Sequence, residues 1–245
     1  MFSIFKRKYP AVSLDLSGLN TDMHSHLLPG IDDGSPDPET SAMLKKGLEE
    51  AGCRQFITTP HIMWDLYKNT PSTIHAAHQL LQKQGNHVNI RPAAEYYLDD
   101  NFDKLLAAEA PLLAIQGNMV LVEFSFLSVP LDLKEKLFAI QIRGYQPIIA
   151  HPERYEYLSA KKSFYDDLKA MGCLFQLNLL SLTGYYGKPV NDLAHYLLSK
   201  NYIDFAGTDL HHHRHLHALL GSKQIMPHLN RLLDGGKLRN TTLSL

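Results

Sequence analysis

Short apolar runs alternate along the chain with longer stretches whose apolar residues recur every three to four positions. The runs at 54–59, 88–94, 119–124, 147–150, 173–177 and 203–207 read as strands, and the short segment 20–24 as a first strand before them. The stretches at 38–51, 73–84, 102–108, 131–143, 163–171, 189–200 and 216–233 read as helices, the first offering Ala42, Met43, Leu44 and Leu48 to its buried face. Gly52, Gly144, Gly172 and Asn201 fill one repeated slot between a helix and the next strand, where a residue tolerant of positive φ ends the helix. This alternation demands parallel strands, because each helix carries the chain back to the edge where it began.

Each strand delivers the chain to a polar residue: His24 and His26, His61, Glu95, Glu123, His151, Asn178, and Asp209 with His211. From His24 the steps are 37, 34, 28, 28, 27 and 31 residues, each about one strand-plus-helix unit. Polar groups at that period put the chemistry on the C-terminal rim of an α/β fold, a seven-stranded (β/α) barrel. An open doubly wound sheet has the same alternation but gathers ligands at one switch point, so polar ends on all seven strands favour closure.

The chain's 245 residues, 44% apolar, supply one substantial core. The expectation is a single domain over residues 1–245, with 1–18 as an N-terminal extension. The longest apolar runs are strand-length, so no transmembrane segment is expected. Lys6, Arg7 and Lys8 precede no apolar stretch of a secretory leader, which points to a cytoplasmic protein, and residues 2–9 read as a solvated tail. A net charge of −1 leaves no basic footprint for nucleic acid. Cys53 and Cys173 each follow a glycine at a helix-to-strand junction and read as small buried apolar groups rather than a disulfide.

The local chemistry is clearest at His24-Ser25-His26. Residues i and i+2 at a strand end point the same way, so both imidazoles can face one ion. Asp209-Leu210-His211 repeats the spacing, and Asp32-Asp33-Gly34 follows the first pair closely. Taken singly, His61 reads equally as a loop histidine, and Glu123 as half of a buried ion pair. Together His24, His26, Asp33, His61, Glu95, Glu123, His151, Asp209 and His211 are too many donors for one zinc and enough for two or three ions sharing a carboxylate. Imidazole mixed with carboxylate suits manganese, iron, cobalt or zinc. His212, His213, His215 and His217 are expected on the surface of the following helix. Tyr96, Tyr97, Tyr155, Tyr185 and Tyr186 fall in expected rim segments, either as groups that flank an aryl ring or as ordinary surface packing.

The segments H-S-H-L-L-P-G-I-D-D-G at 24–34, T-P-H at 59–61, A-E-Y-Y at 94–97, V-E-F at 122–124, A-H-P-E-R-Y at 150–155 and T-D-L-H at 208–211 carry a resemblance. In order and spacing they resemble the PHP-domain metal-dependent phosphatases, in particular the bacterial protein-tyrosine phosphatases associated with capsular or exopolysaccharide synthesis. The resemblance covers about residues 20–235 and implies a distorted seven-stranded barrel of the PHP type. It implies a trinuclear site with His24, His26, Glu95 and Asp209 on one ion and Glu95 bridging to a second. Glu123 and His151 would complete the second ion, and Asp33, His61 and His211 would hold the third. Arg154 matches the family's phosphate-contacting arginine.

The implied cofactors are two to three divalent transition-metal ions, manganese first. The implied partner is a phosphotyrosine protein, the tail of a bacterial tyrosine kinase that controls polysaccharide export. Relatives often carry another arginine shortly after the final D-x-H, whereas Arg214 here stands in a different register. The alternatives are a small-molecule phosphatase such as a histidinol-phosphate phosphatase, whose branch usually opens differently, and a non-catalytic metal-binding scaffold. An amidohydrolase commonly needs a metal-bridging lysine that no strand end offers. A cysteine-dependent phosphatase needs an arginine six residues after its thiolate, where this chain has Thr59 and Leu179.

Overall fold

The computed structural model describes residues 13–83, 85 and 89–245. The expected tail at 2–9, the helix end at Gln84 and the strand start at Val88 lie outside the described residues. Eight α-helices occur among those described: α1 (Pro38–Glu50), α2 (Pro71–Lys83), α3 (Asp100–Ala107), α4 (Leu133–Ile142), α5 (Ser163–Ala170), α6 (Lys188–Ser199), α7 (His213–Gly221) and α8 (Ile225–Asp234). Local chemistry starts them. The Asp37 carboxylate accepts from the Thr40 amide at 2.7 Å with Pro38 in the first turn of α1, and Asp99 accepts from the Phe102 amide to begin α3. The repeated slot after the helices is left-handed, with φ of 95°, 80°, 83° and 55° at Gly52, Gly144, Gly172 and Asn201. In α1, Leu44 and Leu48 are buried while Met43 turns outward.

Residues 216–233, expected as one helix, are divided between α7 and α8. Pro227 has no amide proton, and in a continuous helix its ring would strike the carbonyl four residues back. The chain extends at Ser222 and restarts, which puts Pro227 in the first turn of α8.

The strands are β1 (Thr21–Asp22), β2 (Gln55–Thr58), β3 (His61–Ile62), β4 (Ile90–Pro92), β5 (Glu95–Tyr97), β6 (Met119–Glu123), β7 (Gln146–Ala150), β8 (Leu174–Asn178) and β9 (Phe205–Gly207). All their pairings are parallel, as the alternation requires. They form two sheets, β1-β2-β4 and β3-β5-β6-β7-β8-β9, and not the closed seven-stranded barrel expected. The second and third expected strands, 54–59 and 88–94, end at Thr58 and Pro92, and a further short strand follows each, beyond Thr59-Pro60 and Ala93-Ala94. Pro60 cannot donate to a ladder, which ends β2 there. His61 and Glu95 therefore open β3 and β5 instead of following a strand, and they pair in register.

Alternation along the strands sorts the core into two clusters. Phe56, Val120, Val122, Ile149 and Phe175 pack with helix residues such as Leu48, Leu137 and Leu168. Leu14 and Leu16, in the expected N-terminal extension, are buried in this same cluster. On the other face Met23, Ile57, Ala93, Leu121, Ile148, Ala150 and Phe205 meet Ile115 and Leu243. Beside Leu243, the buried Asn240 amide accepts from the Ala206 amide at 2.9 Å and donates to the Thr21 and Ala206 carbonyls at 2.9 and 2.7 Å, tying β1 to β9. Cys53 and Cys173 are buried and unpaired.

Candidate metal centre

On the face away from the helices, apolar residues give way to donors within a step of two or four. Ala93 leads to Glu95, Leu121 to Glu123, and Phe205 through Gly207 to Asp209. His151 breaks this parity after Ile148 and Ala150, and its backbone is left-handed at φ 31°; Asp209 is also left-handed at φ 49°. Two non-glycine residues in that region at one site are held there by their surroundings. Gly207 is required for a different reason. A Cβ there would lie 2.8 Å from the His24 Cβ and 3.0 Å from Gln176 Nε2, so only a bare backbone can pass behind His24.

The nine expected donors come together. Donor atoms of His26, Asp33, His61 and His211 lie within 4.8 Å of one another, as do those of His24, His151 and Asp209, of His24, His26 and Glu95, and of His61, Glu95 and Glu123. Eight of the nine residues are buried; the Asp33 side chain is half exposed and sits 3.6 and 3.7 Å from Nε2 of His61 and His211. Glu95 is central. Its Oε2 lies 3.2 Å from both His24 Nε2 and His61 Nδ1, and its Oε1 lies 3.1 Å from His151 Nε2. His24, His26 and Glu95 fall in one group and Asp33, His61 and His211 in another with His26, while Glu123 stands with Glu95 and His61, and His151 with His24 and Asp209.

The imidazoles are oriented from behind. His24 Nδ1 bonds Gln176 Oε1 at 2.8 Å, His26 Nδ1 bonds Asp32 Oδ2 at 2.8 Å, and His211 Nδ1 bonds the Asp209 carbonyl at 2.8 Å. An oxygen acceptor on Nδ1 keeps the proton there and presents the Nε2 lone pair to the centre, the usual support of a metal-binding histidine. Gln176 Oε1 also accepts from the His151 amide at 3.1 Å. Neither Gln176 nor Asp32 stands out in the sequence as a site residue. Their signals were position: Gln176 shares a strand face with Asn178, and Asp32 neighbours Asp33.

The electrostatics are those of a cation site. Burial opposes charge on Glu95, yet His24 and His61 hold its pKa well below the carboxylate range. Burial and the neighbouring Glu95 push Glu123 well above it. Burial lowers His151 to about 4, and burial with the adjacent His26 lowers His211 to about 4, so both stay neutral and able to ligate. His61 Nδ1 and His151 Nδ1 are buried without a hydrogen-bond partner. Orphaned lone pairs and crowded carboxylates are costly on their own and suit divalent ions.

Above the donors lies a bowl of about 480 Å³, walled by Met63, Leu66, Tyr67, Tyr97, Ser125, Phe126, Leu127, Arg154, Tyr186, His212 and His215. Arg154 Nη1 donates to Asp209 Oδ2 at 3.0 Å. His212 and His215, expected on the surface, instead line this bowl, with His215 buried beneath Tyr185 and Tyr186. Of the expected rim tyrosines, Tyr97 and Tyr186 line it, Tyr96 and Tyr155 are core, and Tyr185 is exposed outside it. Arg214 is exposed on α7 and does not face the bowl.

Parallel α/β strands that gather buried imidazoles and carboxylates beneath an arginine define the class of metal-dependent hydrolases. The profile of the family described as "Capsular polysaccharide synthesis, CpsB/CapC" matches residues 20–223, and the chain belongs to that family. It is 32% identical over 194 residues to the tyrosine-protein phosphatase YwqE of Bacillus subtilis, covering 78% of this chain and 76% of that protein. It is 28% identical over 200 residues to the tyrosine-protein phosphatase CpsB of Streptococcus agalactiae serotype V, covering 78% and 82%. Among solved structures it resembles those of Bacillus subtilis YwqE and Streptococcus pneumoniae CpsB, described as unique metal-dependent tyrosine phosphatases. That match has a TM-score of 0.73 at 29% identity and covers 91% of this chain and 96% of the other. No helix among the described residues is long and apolar enough to cross a membrane.

Proposed function

We propose that this protein is a metal-dependent protein-tyrosine phosphatase of capsular or exopolysaccharide synthesis. The gathering of nine donors beneath one arginine carries this reading, and the activities named for its relatives support it. The substrate is phosphotyrosine on a protein, the tail of a bacterial tyrosine kinase, and the protein acts in the cytoplasm as a single domain. The two sheets work together as one distorted seven-stranded barrel. Supporting this are amide-to-carbonyl bonds from Asp209 to His24 at 2.8 Å and from His26 to Leu210 at 3.0 Å, which join the segment after β1 to the segment after β9 across the two sheets.

The donors fit two to three divalent transition-metal ions, manganese first, held by His24, His26, Asp33, His61, Glu95, Glu123, His151, Asp209 and His211. When bound, such ions neutralise phosphoryl charge and acidify water. The chain's own groups do the rest. Glu95, within reach of three imidazoles, spans the centre and keeps its parts in register. Asp32 and Gln176 fix the rings of His26 and His24. Arg154 makes charge-assisted contacts to the phosphoryl oxygens. Tyr97, Phe126 and Tyr186 flank the aryl ring and keep water off it. A tyrosine leaving group, with a pKa of about 10, needs less proton donation than an alkyl alcohol.

The test is comparative. A phosphotyrosine peptide is hydrolysed with higher kcat/KM than a phosphoserine peptide or histidinol phosphate, chelator abolishes the activity, and elemental analysis finds transition metal in protein purified without chelator. Histidinol phosphate as the better substrate by about tenfold, a difference of about 1.4 kcal/mol in transition-state stabilisation, would sink the tyrosine assignment.

A further inference from the structure

The two carboxylate oxygens of Asp209 face different chemistry. Oδ1 lies 3.4 Å from His24 Nε2, His26 Nε2 and His211 Nδ1. Oδ2 accepts from Arg154 Nη1 at 3.0 Å and from Asn178 Nδ2 at 2.9 Å. Asn178 Nδ2 also donates to the Tyr186 hydroxyl at 3.2 Å, and the Tyr186 ring centre is 4.6 Å from the Arg154 guanidinium carbon. Arg154, Asp209, Asn178 and Tyr186 thus close a circuit. A second ring, Phe126, lies 4.8 Å from the same guanidinium carbon and stacks near His151 and Tyr155. Asn178 is itself pinned: its amide donates to Glu153 Oε1 at 2.9 Å, and its Oδ1 accepts from the Leu180 amide at 2.9 Å.

We propose that Tyr186, Phe126 and Asn178 are positioning residues that clamp Arg154 in its phosphate-binding pose, with the Tyr186 ring the main element of the clamp. A free arginine at a rim samples many rotamers and loses them when it binds an anion. One stacked on aromatic faces and bonded through one nitrogen presents its remaining N–H groups in a fixed direction, so less freedom is lost on binding. Asp209 occupies Nη1 and leaves Nη2 and Nε for the ligand. Tyr186 also lines the open bowl, where a residue serving only the core would not be found. The proposal rests on the phosphatase reading for its purpose, but its geometry is independent of the reaction.

A double-mutant cycle on the metal-loaded full chain decides it, read by calorimetric affinity for inorganic phosphate and by kcat and KM on a phosphotyrosine peptide. Tyr186→Leu weakens phosphate binding by roughly tenfold and acts on KM more than on kcat, while Tyr186→Phe, which keeps the ring, stays within about threefold of wild type. In the Arg154→Ala background Tyr186→Leu costs less than about twofold in phosphate affinity, because the residue it would position is gone and inorganic phosphate has no ring for Tyr186 to flank. Phe126→Leu gives the same pattern by a second route, and metal content is unchanged in each variant. Equal losses with and without Arg154 overturn the clamp. A wild type that binds phosphate but spares phosphotyrosine overturns the phosphatase reading alone, since the cycle in phosphate affinity still decides the clamp. A wild type that binds no phosphate overturns both.

Discussion

The two ends of a single strand face do opposite work. On β6, Leu121 joins the apolar floor and Glu123, two residues later, joins the donor cluster. The third and seventh expected strands repeat the change from Ala93 to Glu95 and from Phe205 to Asp209. The floor stabilises through buried area, at roughly 25 cal/mol per Å², with little demand on direction. The rim concentrates buried charge, which destabilises a fold unless each group meets a partner of opposite sign in the right direction. Stability and chemistry are thus separated by one or two pleat repeats. The left-handed turns at His151 and Asp209 fall where the second demand overrides regular strand geometry.

If that separation holds, substitutions at the rim and at the floor have different signatures. Glu95→Gln lowers kcat on a phosphotyrosine peptide by roughly 10³-fold or more, since it removes the carboxylate at the centre of the donors, yet leaves the thermal midpoint near that of wild type. A Glu95→Gln protein that keeps its metal and most of its rate would make Glu95 a structural residue. Phe205→Ala does the reverse. Chemical denaturation shows a loss of about 3–5 kcal/mol, while the folded fraction keeps its kcat within a few-fold. A large kcat defect in folded Phe205→Ala protein would mean that floor and rim are not separable.

The smallest effect belongs to the thiols. Burial pushes the Cys173 thiol up to about 12 and raises Cys53 further, so neither forms a thiolate nucleophile near neutral pH. Cys53→Ser and Cys173→Ser each retain phosphatase activity per folded molecule within a few-fold, and the native thiols react slowly with alkylating reagents. Loss of activity in either well-folded serine variant would bring cysteine chemistry back.

What was legible in the sequence follows from how locally each feature is encoded. Glu123 and Asp209 stand out because a metal donor at a strand end contradicts the apolar run before it, and His24 because it is spaced two residues from His26. The left-handed slots were legible because glycine recurs where the helical period stops. Gln176 and Asp32 were missed because a neutral amide carries no metal signature and adjacent aspartates look alike until one is seen behind His26. Asn178 stands at a strand end but carries no ionic donor, and its partners Arg154, Asp209 and Tyr186 come from separate units. The short strands β3 and β5 escape because each begins at a donor, His61 or Glu95, that reads as the end of the strand before it, and the helix break at Ser222 escapes because the apolar period resumes beyond it. Tyr96 and Tyr155 were placed at the rim from sequence adjacency to donors, whereas strand parity turns Tyr96 and its neighbour Tyr97 to opposite faces.

The stitch made by Asn240 bears on the timing of synthesis. Its amide joins the Thr21 carbonyl across 219 positions of sequence, and Leu243 packs on the same floor as Met23. A chain emerging from the ribosome completes β1, and with it the approach to His24 and His26, long before residue 240 exists. Contacts of such sequence separation form late, because the entropy of closing the loop is lost before they contribute. Metal present during translation therefore meets a chain on which this stitch is still missing, and the join of β1 to β9 is fastened by residues made after the last of the nine donors.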